Sequence, residues 1–228
     1  MVMHIRLHQT GAPHVLQLEH GEPRTPGAGE VWLEQAAIGV NPLDVNQRKG
    51  DVPIALPSGL GLEGAGTVAA VGPGVTNVKV GDRVAYATGP LGAYASARLF
   101  PAERLVTLPD RLAATDAAAV LFKGITAQYL LKSTYPVGPG VRVLIYGAAG
   151  ALGQLMVSWA RHLGAFVVGV VSKVQSVARV SASNTSTSLQ PAAFARATLC
   201  TLETTPTTKA PRCLAQDTIN WPSAPAAP

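Results

Sequence analysis

Residues 141–173, VRVLIYGAAGALGQLMVSWARHLGAFVVGVVSK, restrict the fold more than any other stretch of this chain. Val141 to Tyr146 is a short apolar run of the kind found in buried strands of parallel sheets. It enters a glycine-rich turn, Gly147-Ala148-Ala149-Gly150-Ala151-Leu152-Gly153. The residues after the turn have helical periodicity, with Leu152, Leu155, Met156, Trp159 and Leu163 on one predicted face and Arg161 and His162 off it. Ala165 to Val171 reads as a second strand. Strand, glycine turn, helix and strand in that order form half of a dinucleotide-binding fold. The first N–H groups of the helix can hold a pyrophosphate, and glycines let it come close. The same residues also permit a plainer reading, in which the glycines only allow a tight turn and close packing.

Apolar residues make up 47% of the 228-residue chain and charged ones 14%, enough to bury the core of one large domain or two small ones. The net charge of +5 is scattered, without a basic stripe, which argues against a nucleic-acid partner. The N-terminus, MVMHIRLHQTG, alternates like a strand and lacks the apolar centre of a signal peptide. No apolar run is long enough to span a bilayer, so no membrane partner is expected and a cytoplasmic location is the default. Cys200 and Cys213 have no further ligands at useful spacing, and the histidines at 4, 8, 14, 20 and 162 form no metal or triad pattern. No metal site is expected.

Three zones follow one another. The first, residues 1–122, shows short strands broken by glycine and proline up to about residue 110, with Val31–Ala36, Gly66–Val71 and Asp82–Ala87 as the clearest; a helical zone over Thr115–Leu131, which Gly124 divides in two, then leads into the second. Residues 123–173 hold the glycine loop. Residues 174–228 differ: all 23 glycines lie at or before Gly169, and 32 of the 55 residues after Lys173 are Ala, Ser, Thr or Pro. Without sustained periodicity or apolar density, this segment is expected to be disordered. It is either a low-complexity tail or the product of a reading-frame slip near Lys173. The slip is preferred, because a doubly wound sheet begun at Val141 needs further strand–helix units and none arrives.

Five ordered stretches resemble one family: Gly39-Val40-Asn41-Pro42-Leu43-Asp44, Gly61-Leu62-Glu63-Gly64-Ala65-Gly66, Val80-Gly81-Asp82-Arg83-Val84, Phe122-Lys123-Gly124-Ile125-Thr126-Ala127 and Gly147 to Gly153. Residues 1–173 resemble the medium-chain dehydrogenase/reductase superfamily, most closely its zinc-free NADPH:quinone oxidoreductase (quinone reductase, zeta-crystallin-like) branch. The resemblance implies an α/β chain with an N-terminal GroES-like β-barrel domain, an incomplete Rossmann domain of doubly wound parallel sheet, and an active site in the cleft between them. Zinc-dependent relatives carry Cys where this chain has Asn41 and His where it has Leu62, and neither replacement suits zinc. Without a metal to polarise an alcohol, hydride transfer from NADPH to a quinone or related enone is the expected reaction.

The resemblance implies that Asn41 lines the nicotinamide and substrate cleft and that Lys123 and Thr126 lie near the nicotinamide ribose. Gly147, Gly150, Ala151, Leu152 and Gly153 would hold the pyrophosphate. The second strand ends Val171-Ser172-Lys173 without the acid that an NAD-binding fold uses on the ribose, so Ser172 and Lys173 are expected at a 2′-phosphate. Asn46 stands where the family often has tyrosine, which weakens substrate stacking. Plainer roles stand beside these: Asn41 as an extended pre-proline residue capping a turn, Asp44 as a helix cap, Glu63 as structural or functional in equal measure, Lys123 as a helix-surface charge, and Tyr129, Trp159 and Phe166 as core. The family's homodimer depends on late strands that are missing here. The alternative is therefore a catalytically inactive, truncated remnant with an exposed sheet edge. A third reading, RNA binding as in some relatives, has no basic stripe to support it.

Overall fold

A computed structural model describes residues 1–172 together with the backbone of Cys200–Thr201. The chain divides into two compact units, Met1–Phe122 and a second that begins at Lys123. The expectations of disorder and of a frame slip after residue 173 lie outside the described residues, as does Lys173.

The first unit is built on two antiparallel sheets. Strand β1 (Val2–Leu7) pairs with β2 (Leu16–Gly21) on one side and the short β4 (Ser58–Gly59) on the other. The larger sheet contains β3 (Glu30–Gly39), β5 (Glu63–Val71), β6 (Arg83–Tyr86), β7 (Ala97–Pro101) and β8 (Val106–Thr107), in the order β7-β3-β5-β6-β8. The three strand segments expected from sequence fall on β3, β5 and β6. The expected barrel does not close. Strand β8 has only two residues, and β1 belongs to a separate sheet, linked to the segment just before β7 by the His4–Ala95 bridge and by the Ile5–Tyr94 and Ser96–Met3 backbone bonds. The larger sheet stays open, around a core of Val31, Leu33, Val68, Val84, Tyr86 and Phe100.

Helix α1 (Pro42–Lys49) follows β3 and ends at Gly50, whose positive φ of 95° suits the left-handed C-terminal position. Helix α2 (Ala114–Gln128) contradicts the expectation of a break at Gly124, because it runs through that residue. An interior glycine weakens a helix by about 1 kcal/mol without forcing it open. The irregularity comes later, where Tyr129–Thr134 widens into a π-helical turn. Tyr129, expected in the core, is 56% exposed there.

In the second unit, β9 (Arg142–Tyr146) and β10 (Phe166–Val170) run parallel in the register Phe166↔Arg142 to Val170↔Tyr146, with α3 (Ala151–His162) between them in sequence. The β11 pair, Cys200–Thr201, adds antiparallel to the other edge of β10. The helix buries a narrower stripe than the sequence predicts. Gly153, Val157 and Ala160 are its buried residues, and Met156, Trp159 and Leu163 pack at the margin of the cluster formed with Ile145, Ala148 and Val167. Small residues at positions 153 and 160 bring the helix close to the sheet, which moves the contact face away from Leu152 and Leu155. The expectation of a fully buried β9 also fails. Ile145 is buried, but Leu144 is 48% and Tyr146 71% exposed, because α3 covers one face of the strand.

Candidate functional site

The first unit holds a cluster of buried polar side chains around the start of α1. The sequence Asn41-Pro42-Leu43-Asp44 places proline in the first turn and an acid at its third position, the pattern of a capped helix start. Asn41 is the extended N-cap residue. Its N–H donates to Asp44 Oδ2 at 2.8 Å, and the Asp44 N–H returns a bond to the Asn41 carbonyl at 3.0 Å. The Tyr94 hydroxyl also donates to Asp44 Oδ2, at 2.9 Å. Burial, and then the neighbouring Asp44 carboxylate, push the Tyr94 hydroxyl pKa far above the usual phenol range.

Asn41 points its amide into the interior. Its Nδ2 donates to Glu63 Oε2 at 3.0 Å, and Glu63 is wholly buried at 0% exposure. The other Glu63 oxygen, Oε1, accepts the backbone N–H of Phe122 at 2.6 Å. Gly39 makes this arrangement possible: a Cβ there would stand 2.3 Å from both Glu63 Oε2 and the Ala118 carbonyl oxygen. The cluster therefore joins the end of β3, the start of α1, the start of β5 and the middle of α2.

The second unit contributes the glycine loop. Gly147 leaves β9 with φ of 64°, and its carbonyl accepts the Gly150 N–H at 2.8 Å, closing the turn. The helical ladder begins with Gln154 N–H to the Gly150 carbonyl at 2.9 Å, so the N–H groups of Ala151, Leu152 and Gly153 precede the first rung. A Cβ on Gly153 would lie 2.2 Å from the Gly147 carbonyl oxygen, so only glycine lets the helix start against the turn. Leading N–H groups at the positive end of a 12-residue helix fit an anionic pyrophosphate.

The other predicted residues are placed as follows. Lys123 and Thr126 lie three apart and half-buried on α2, and Ser172 is exposed two residues past the end of β10. Gly147, Gly150, Ala151, Leu152 and Gly153 come together in one loop. Asn41 belongs to the first unit, with partners that sequence reasoning reached only in part. Asp44 was readable as a cap. Tyr94, fifty residues further along the chain, carried no local signal. None of the predicted site residues lines a groove of about 480 Å³ in the first unit that is bordered by His4, Arg6, Arg24, Trp32 and Arg98 among others.

Residues 27–110 match the alcohol dehydrogenase GroES-like domain family. The chain is 48% identical over 173 residues to a quinone oxidoreductase of Pseudomonas aeruginosa, an alignment covering 75% of this chain and 53% of that protein. It is 48% identical over 179 residues to a 2-haloacrylate reductase of a Burkholderia species, covering 75% and 54%. The crystal structure of Escherichia coli quinone oxidoreductase complexed with NADPH superposes with a TM-score of 0.77 at 40% identity, over 79% of this chain and 56% of that one. The chain thus spans about half the length of these relatives. A GroES-like β domain followed by the first strands of a Rossmann domain defines the medium-chain dehydrogenase/reductase superfamily. Over the residues that align, this chain matches the quinone oxidoreductase branch of that superfamily.

Proposed function

We propose that the chain is an NADPH-dependent oxidoreductase that reduces a quinone or a related enone without a metal. The observation that carries this reading is the loop Gly147–Gly153, whose turn presents the N–H groups of Ala151, Leu152 and Gly153 ahead of the first helical rung. The relatives support it through what they reduce and through the NADPH bound in the Escherichia coli structure. Bound NADPH would supply the hydride, and a solvent proton would complete the hydroquinone.

The remaining steps are the protein's. Gly147, Gly150, Ala151, Leu152 and Gly153 bind the pyrophosphate, with Lys123 and Thr126 at the nicotinamide ribose. Ser172 and Lys173 take the 2′-phosphate, a site that no carboxylate of the segment Val171-Ser172-Lys173 opposes. Asn41 orients the substrate side of the nicotinamide. Domain limits of 1–122 and 123–173 are part of the same proposal.

One observation favours the second reading, a truncated remnant without activity. Leu144 and Tyr146 expose apolar surface on β9, on the face of the sheet that α3 leaves open. Steady-state oxidation of NADPH with a small benzoquinone decides between the two. Turnover that NADH cannot support at equal concentration establishes the reductase. A folded chain that leaves NADPH unoxidised establishes the remnant.

A further inference from the structure

We propose that Glu63 is a positioning residue that fixes which way the Asn41 amide faces. The inference rests on Asn41 serving the substrate side, as proposed above. An asparagine amide can turn over, exchanging its oxygen for its NH2 group. A carboxyl oxygen that already faces an amide accepts its N–H and repels its oxygen. Glu63 Oε2, 3.0 Å from Asn41 Nδ2, therefore holds the NH2 group toward the interior, while the capping box leaves the amide oxygen on the side of the helix start.

Three observations set this carboxylate apart from a packing residue. It is buried completely, where an apolar side chain would fill the space without a desolvation cost. Gly39 gives up its side chain at the very point where a Cβ would strike Glu63 Oε2. Its second oxygen takes the Phe122 N–H at 2.6 Å within α2, at a position where the helical ladder offers the Ala118 carbonyl instead. The same carboxylate thus ties the Asn41 amide to the backbone of α2 at Phe122.

The test is nitrogen-15 NMR of the whole chain. The side-chain amide pair of Asn41 is identified by its loss in N41A and then followed in E63Q, which keeps the shape but places an NH2 group against Asn41 or Phe122. The Asn41 pair is expected to shift and the Phe122 amide to exchange about tenfold faster, while the Gln154 side-chain pair, bonded to the Ala149 carbonyl, stays in place. In turnover, E63Q is expected to lower kcat about tenfold at unchanged NADPH affinity, and to add nothing in the N41A background. An unmoved Asn41 pair in folded E63Q overturns the proposal, as do losses that multiply when the two substitutions are combined. If E63Q does not fold, E63D keeps the charge and shortens its reach, and a moved or unmoved Asn41 pair decides in the same way. A wild-type chain without turnover would sink the functional reading alone, because the NMR result still decides the role of Glu63.

Discussion

In the first unit, the carboxylates of Asp44 and Glu63 lie inside the protein, each holding groups from elements far apart in sequence. In the second, the proposed cofactor contacts are backbone N–H groups at the start of α3, and half of β9 faces outward. The contrast separates two ways of building a site. Side-chain networks need many residues placed at once, and the first unit supplies them all within 122 residues. A phosphate loop of the proposed kind needs only a strand, a turn and a helix, and the described part of the second unit supplies all three.

The largest effect is expected from G153V. The added Cβ meets a backbone oxygen at 2.2 Å, which cannot swing aside, so the turn itself must move. The second unit should lose about 3–5 kcal/mol and NADPH affinity should fall about 100-fold, while the first unit keeps its chemical shifts. Thermal unfolding followed by NMR separates the two units. G39A is the counterpart in the first unit, where the clash involves the Ala118 carbonyl and the buried Glu63 carboxylate. A loss of about 2–4 kcal/mol in denaturant unfolding is expected. A tolerated G39A would break the claim that the network is closely packed.

How much of this was legible in sequence depended on distance along the chain. The strand–turn–helix of residues 141–162 declares itself because its hydrophobic period and its glycines are local. The cap of α1 is readable for the same reason, as Asn41, Pro42 and Asp44 are near neighbours. The burial of Glu63 could not be read from its neighbours, since its partners Asn41 and Phe122 are 22 and 59 residues away. Gly124 misled because a glycine permits a break without requiring one, and the widened turn at Tyr129–Thr134 has no sequence marker. The exposure of Leu144 and Tyr146 was hidden as well, because the apolar character of a strand does not say which of its faces α3 covers.

Smaller effects sharpen the contrast. Y94F removes one hydrogen bond to Asp44 and should lower stability by about 1 kcal/mol near neutral pH. The fold holds the Tyr94 hydroxyl protonated more firmly than the unfolded chain does. Its contribution is therefore full below the ordinary phenol pKa of about 10 and is lost as pH rises through the higher folded value. Urea midpoints from pH 8 upward should fall less steeply in Y94F than in the wild type. The smallest change is expected from L144S on the exposed face of β9, within about 0.5 kcal/mol of wild type and with improved solubility. A large loss there would mean that the face is covered.

The most direct test of the central claim is a fluorescence titration of the purified 228-residue chain with NADPH, with NADH as the control. Binding at micromolar concentration, at least about tenfold tighter for NADPH and lost in G153V, is the predicted result. A folded, soluble chain that binds neither nucleotide, or that prefers NADH, would contradict the account.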